Sequence, residues 1–110
     1  MKTWSDSKRV TVYVGETDRH HGTPLYEAVL AMLKREGVAG ATAVRGFMGY
    51  GESAHMHAAH LLDVSEDLPV LVVFVDSNET VSRVLPLLDP MIGSGLVTVE
   101  DVTAIRYSLA

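Results

Sequence analysis

The sequence contains no cysteine among its 110 residues. Disulfide bonds, thiolate metal sites and cysteine nucleophiles are therefore excluded. Any metal ion would have to be held by the five histidines and the 14 Asp+Glu carboxylates. A metal-binding hypothesis for this chain must consequently rest on histidine and carboxylate oxygen alone.

Long apolar runs and basic runs are also lacking. The longest apolar run, Leu68 to Val75, falls far short of the ~20 residues that span a bilayer. Residues 1–8 lack the apolar core of a secretory signal. The formal charge of −5, from 9 Lys+Arg against 14 Asp+Glu, provides no basic surface for nucleic acid. We therefore expect a cytoplasmic protein without membrane insertion and without a nucleic-acid partner.

The length and composition indicate a single domain over residues 1–110. Hydrophobic residues make up 47% of the chain, which is enough to form a core. No linker-like composition interrupts the sequence. A domain of this size is also one in which oligomerisation often adds stability.

Two segments have helical spacing. The first follows Thr23-Pro24, read as an N-cap with proline at the first helical position, and ends at Gly37. The second follows Asp76 and Glu79, which have the spacing of a capping box, and is closed by Pro90. The apolar residues that recur at helical intervals are Leu25, Ala28, Val29, Met32 and Leu33 in the first segment, and Val81, Val84, Leu85 and Leu88 in the second.

The remaining regular segments have the character of strands. Val10, Val12 and Val14 alternate with more polar residues, which is typical of a strand with one buried face. The predicted strands are Arg9 to Gly15, residues 40–48, Pro69 to Asp76, and a final strand or strand pair at Leu96 to Val99 and Val102 to Tyr107. The order β-α-β-β-α-β predicts an α+β ferredoxin-like sandwich, an antiparallel sheet with both helices on one face.

The third predicted strand differs from the first. Residues 70–75 are apolar at every position, so the face of the sheet away from the helices must also be covered. Few residues remain outside the predicted elements to cover it. We therefore expect the chain to self-associate, with cover by its own termini as the alternative.

Glycines and a long connection follow the second strand. Gly46, Gly49 and Gly51 fall within six residues, which indicates a sharp turn or the close approach of another group. The segment from Gly49 to Leu68 is too long for a hairpin connection. We expect it to be functional, to contain a short helix within residues 53–62, or both.

These segments together resemble the PII signal-transduction proteins and, more closely, the PII-like family of unknown function. The resemblance covers roughly residues 9–107. The matching segments are Pro24-Leu25-Tyr26-Glu27, Gly40-Ala41-Thr42, Val44-Arg45-Gly46-Phe47, Ser65-Glu66-Asp67-Leu68-Pro69 and Ile92-Gly93-Ser94-Gly95-Leu96-Val97.

The resemblance implies a homotrimeric regulatory protein that binds a small anionic metabolite, an adenine nucleotide, in clefts between subunits. It also implies that the loop over residues 49–68 is presented to a partner protein, with a membrane transporter or channel as one candidate. The positions that match the ligand site are Arg45, Gly46, Phe47 and Gly49 at the strand end, Gly93, Ser94 and Gly95 in a glycine loop, and Arg106 near the C-terminus. Successive backbone N–H groups in such a glycine turn can bind an anion.

One departure from the PII pattern bears on the ligand. PII proteins have a lysine after the glycine loop, where this chain has Leu96. A triphosphate requires compensating cations, so the loss of this lysine favours AMP or ADP over ATP. The alternative that Gly93-Ser94-Gly95 is only a turn between helix and strand remains open.

Five histidines provide the second hypothesis, a metal-binding trimer of the same fold. His57 and His60 have ligand spacing on a helix, and His55 and His57 have it on a strand, but no single regular element brings all three together. Histidines in a surface loop more often remain solvated. No nucleophile elbow, Walker loop or zincin spacing is present, so we expect no enzymatic activity.

Overall fold

The computed structural model describes residues 1–51 and 67–109. The described part of the chain contains six strands and two helices. Their bounds are β1 Lys2–Gly15, β2 Arg19–His20, β3 Thr23–Pro24, α1 Leu25–Arg35, β4 Ala41–Arg45, β5 Pro69–Ser77, α2 Asn78–Leu88 and β6 Leu96–Tyr107. The predicted short helix within residues 53–62 lies outside the described residues.

Four strands form one antiparallel sheet in the order β4-β5-β1-β6. β1 and β5 are central, and Val12 pairs with Val72 on one side and Val97 on the other. This is the strand order that a split β-α-β-β-α-β arrangement produces. The predicted ferredoxin-like fold is therefore confirmed.

The core lies between one face of this sheet and the two helices. Valines of β1 at alternate positions are fully or almost fully buried, as their spacing predicts. The buried core residues are Val10, Val12, Val14, Leu25, Val29, Met32, Leu33, Val70, Val72, Phe74, Val81, Val84 and Leu88. Each such side chain contributes about 1.5–3 kcal/mol of hydrophobic free energy, so this layer holds the helices against the sheet.

β1 is longer than the sequence pattern predicts, because it begins at Lys2 rather than Arg9. The predicted final strand or strand pair is one continuous strand, β6. Residues 2–6 pair with residues 103–107 beyond the end of β5, so a two-stranded ribbon projects from the sheet. Residues 2–8 are mostly polar and show no alternating pattern, so the sequence did not indicate a strand there. Their pairing depends on β6 and not on a buried face.

The helix starts also differ from the prediction. Thr23 is not an N-cap: it belongs to a small hairpin whose turn, His21 and Gly22, has positive φ at both residues. The N-cap of α2 is Ser77, whose hydroxyl accepts a hydrogen bond from the Thr80 N–H. Asp76 instead makes tertiary hydrogen bonds, described below. α2 ends at Leu88, two residues before the predicted stop at Pro90.

The sheet face opposite the helices is uncovered in the single chain. Leu71, Val73 and Val75 of β5 lie on this face and are only partly buried. At its edges Val44 and Leu96 are exposed over 51% and 57% of their surface. Within the described residues no element packs over this face, so the expectation of self-association remains a prediction and cover by the described termini does not occur.

Candidate functional site

Two of the predicted ligand segments lie at the same end of the sheet. β4 ends at Arg45, and β6 begins at Leu96. Both positions are aligned with the end of β1, because Arg45 pairs with Val70 and Leu96 pairs with Tyr13. β4 and β6 are the two edge strands, so the segments after Arg45 and before Leu96 are separated by three strand spacings, roughly 14 Å. The two segments therefore lie at the same end of the sheet but on its opposite edges.

Gly46 and Gly49 pack against one proline. The Gly46 N–H donates a hydrogen bond of 2.7 Å to the Pro69 carbonyl. A Cβ at Gly46 would lie 2.8 Å from the Pro69 Cγ, and a Cβ at Gly49 would lie 3.1 Å from the same atom. A side chain at Gly46 would force the Pro69 ring to move, and one at Gly49 would press against it, because the chain leaves β4 in close contact with the start of β5. Phe47, between them, is 83% exposed.

Gly95 makes an equally close approach on the other edge. A Cβ there would lie 2.8 Å from the Tyr13 carbonyl oxygen and 3.3 Å from the Ile92 Cγ2. A Cβ at Gly93 would meet no atom within 4 Å, and Ser94 is exposed. The loop is thus held against β1 at Gly95, while Gly93 and Ser94 face open space.

Arg45 lies on the helix side of the sheet. Its cross-strand partner Val70 is a core residue, and the preceding Val44 lies on the uncovered face. The Arg45 Nε is 2.8 Å from a carboxylate oxygen of Glu16, just after the end of β1. Glu16 is positioned by its own N–H, which donates to the Leu68 carbonyl at 2.8 Å. The guanidinium at this strand end is therefore already paired within the chain.

Two further carboxylates at this end are fixed by backbone N–H groups. Asp18 accepts a hydrogen bond from the Gly15 N–H at 2.8 Å, and Asp67 accepts one from the Thr17 N–H at 3.1 Å. Asp67 lies so close over Gly15 that a Cβ there would be 2.6 Å from one of its oxygens. Sequence reasoning missed Glu16, Asp18 and Asp67 as parts of this strand end. Only the Gly15 to Asp18 spacing, typical of a turn, was a local signal.

Arg106 does not join the other predicted ligand residues in one chain. It lies on the projecting ribbon, opposite Thr3. Ten residue steps of β6 separate it from Leu96, about 33 Å along the strand. Its charge acts instead on Asp76, at the opposite end of the sheet from Gly46.

Asp76, at the end of β5, connects the segment after α1 to the start of α2. Its carboxylate accepts hydrogen bonds of 2.9 Å from the Ala39 N–H and 2.8 Å from the Ser77 N–H. Burial acts to raise the pKa of Asp76, but these two hydrogen bonds, one from Thr80 and the charge of Arg106 together lower it below the ordinary value. Asp76 thus has a structural role remote from the glycine segments.

The metal-binding hypothesis is not tested by the described residues. His55, His57 and His60 lie outside them. Within residues 1–51 and 67–109, no three His, Asp or Glu side chains converge in a geometry suited to a metal ion. His20 and His21 contact each other, with ring centroids 4.2 Å apart. Of the helices in this part of the chain, neither is long and apolar enough to cross a membrane.

Comparison with known proteins identifies relatives over nearly the whole chain. The UPF0166 protein MJ1524 of Methanocaldococcus jannaschii is 35% identical over 96 residues, 86% of this chain and 88% of the relative. A UPF0166 protein of Aquifex aeolicus is 32% identical over 98 residues, 89% of this chain and 92% of the relative.

Among solved structures, the fold is similar to that of CPII from Thiomonas intermedia K12 bound to ADP, AMP and acetate. The TM-score is 0.65 and the identity 21%, over 93% of this chain and 91% of CPII. CPII is described as a nitrogen regulatory PII-like protein. Residues 7–104 match the DUF190 family, described as uncharacterized ACR. The chain therefore belongs to the DUF190 family and has a PII-like fold.

Proposed function

We propose that this protein is a PII-like regulatory module that binds an adenine nucleotide in clefts between the subunits of a homotrimer. In this proposal the segment over residues 49–68 contacts a partner protein, with a membrane transporter or channel as one candidate. The protein acts by binding and not by catalysis. The nucleotide is AMP or ADP in preference to ATP, since Leu96 supplies no cation after the glycine loop.

The observation that carries the proposal is the position of the two glycine segments. Gly46 and Gly95 lie at one end of the sheet but on opposite edges. A nucleotide cannot contact both segments of one chain at once without crossing the ends of β5 and β1. Subunits that meet edge to edge would bring the β4 end of one chain beside the β6 end of its neighbour. Such an arrangement completes the site only in the oligomer.

Two further features support it. The uncovered sheet face presents partly buried valine and leucine side chains that association would remove from water. CPII, which shares the fold, has been solved bound to ADP and AMP. Arg106, remote from the glycine loop of its own chain, belongs in this proposal to the cleft of a neighbouring subunit.

The oligomer is the first prediction. Light scattering of the purified protein should give the mass of three 11.9 kDa chains, unchanged on dilution through the micromolar range. The physical reason is the apolar sheet face, whose exposure in a monomer is unfavourable. A monomer mass would contradict both the cover of this face and the shared cleft. A dimer mass would contradict the trimer alone.

Nucleotide binding is tested by calorimetry with AMP, ADP and ATP. We expect AMP and ADP to bind more tightly than ATP. Arg106→Ala should weaken the anionic ligand by about 1.5–3 kcal/mol, the range for hydrogen bonds to charged groups. Arg35→Ala, which removes an exposed arginine from the last turn of α1, should leave affinity unchanged. Absence of binding by all three nucleotides at millimolar concentration would make the proposed function wrong.

A further inference from the structure

The ion pair between Arg45 and Glu16 determines what Arg45 can offer to a ligand. The Arg45 side chain is exposed over 62% of its surface, so an anion in solvent can reach it. Its Nε is nevertheless occupied by the Glu16 carboxylate at 2.8 Å. Any phosphate that binds this guanidinium through the same edge must first displace a carboxylate of the same chain.

The surroundings of this pair are acidic. Glu16, Asp18 and Asp67 lie within the strand end formed by residues 15–18 and 67–69, and the latter two are anchored by backbone N–H groups. The one described guanidinium that contacts these carboxylates is that of Arg45. Because repulsion between a fixed carboxylate and a ligand increases with ligand charge, this end of the sheet disfavours a triphosphate more than a monophosphate.

Displacement of Glu16 requires little energy. A surface ion pair whose arginine is mostly exposed contributes little to stability, so a ligand can exchange with the carboxylate without disturbing the fold. The main chain of Glu16 would remain in place, because its N–H donates to the Leu68 carbonyl and not to the site. The side chain alone has to move.

We infer that Glu16 is a specificity-determining residue of the nucleotide site, an internal competitor whose carboxylate holds Arg45 and selects against more highly charged phosphate ligands. The inference rests on the proposed function and deepens it. Leu96 stands where PII proteins have a lysine, so the glycine loop lacks that cation. At the strand end, the Glu16 carboxylate pairs with Arg45 and competes with a ligand for its guanidinium. Both features act in the same direction, toward the less charged nucleotide.

The test compares Glu16→Gln with a matched control, Glu36→Gln. Both changes remove one negative charge and disrupt ion pairing to arginine, with Arg45 at Glu16 and with Arg83 and Arg35 at Glu36. The Glu16 and Glu36 side chains are 28% and 30% exposed, and their carboxylates are 2.8 and 3.0 Å from the arginine. Glu36 follows the last residue of α1, away from the strand end that contains Glu16, so the control reports the effect of net charge alone. Binding of AMP, ADP and ATP to each protein is measured by calorimetry at low ionic strength with EDTA present.

Glu16→Gln should lower the Kd about threefold for AMP and about tenfold or more for ATP, because the removed repulsion scales with ligand charge. Glu36→Gln should leave all three values unchanged. Arg45→Ala introduced into the Glu16→Gln protein should abolish the gain. Glu16→Ala provides a second variant that removes the carboxylate, and thermal unfolding and light scattering check that each protein remains folded and assembled.

Wild-type affinities for all three nucleotides in both Glu16 variants would overturn the inference and leave the proposed function intact. An equal gain in Glu36→Gln would also overturn it, because the effect would then be one of net charge. Absence of nucleotide binding by the wild type and by both Glu16 variants would overturn the inference and the proposed function together.

Discussion

Gly95→Val should abolish nucleotide binding and destabilise the protein by about 1–3 kcal/mol, the range for a forced steric clash and backbone shift at a packed position. The Cβ alone would lie 2.8 Å from the Tyr13 carbonyl oxygen, a backbone atom that cannot move independently of β1. The two γ methyl groups add a clash with Ile92, whose Cγ2 is already 3.3 Å from the Cβ position. The glycine loop must therefore move away from the sheet end.

Gly93→Ala is the control for the stability effect of this variant. It alters the same loop two residues away, but its Cβ would meet no atom within 4 Å. Urea unfolding at fixed protein concentration measures stability, and calorimetry measures nucleotide binding. Gly93→Ala should change stability by less than about 0.5 kcal/mol. A Gly95→Val protein with the stability of Gly93→Ala would contradict the close approach of this loop to β1.

Asp76→Asn should lower the free energy of unfolding by about 2–3 kcal/mol at pH 7. The carboxylate uses different oxygens for the Ala39 and Ser77 N–H groups. An asparagine has one acceptor oxygen, so its NH₂ group would face one of these donors and leave it unsatisfied. Asp89→Asn, at the exposed end of α2, is the control and should change stability by less than about 0.5 kcal/mol.

The same variant predicts a pH dependence. The pKa of Asp76 is lower in the folded protein than the ordinary value of 3.8. Its stabilising contribution is therefore fully present above that ordinary value and is lost as the pH falls through the lower, folded pKa. The difference in unfolding free energy between the wild type and Asp76→Asn should be constant from pH 7 to about pH 5 and should decrease below about pH 4. A difference that grows on acidification would contradict the lowered pKa.

Period and composition determined the fold class and the placement of most elements. The alternation of Val10, Val12 and Val14 and the helical spacing of Leu25 to Leu33 are properties of near neighbours, and the structure confirms both. Residues 70–75 lie in the predicted third strand, β5, and the structure shows in addition that this strand pairs on both edges. These features could be predicted because a helix or strand that buries one face repeats its apolar residues at the spacing typical of that element.

Errors occurred where a local signal competed with a distant partner. Asp76 and Glu79 have the spacing of a capping box, yet the cap is Ser77, because Asp76 receives the Ala39 N–H from another part of the chain. Residues 2–8 have the polar composition of a terminal segment, yet they form a strand. Their partners lie in residues 101–107, at the other end of the sequence.

The candidate site divides in the same way. The glycines at both strand ends are visible in the sequence, and the structure gives their cause, since a backbone that approaches Pro69 or Tyr13 within contact distance has no space for a Cβ. The opposite edges of the two ends, the ion pair between Glu16 and Arg45 and the distance of Arg106 from the glycine loop follow from the tertiary fold and could not be predicted. A glycine in the sequence indicates a constraint on the backbone at that position. Strand order and ion pairs depend on residues that are distant in the chain, and no local sequence pattern encodes them.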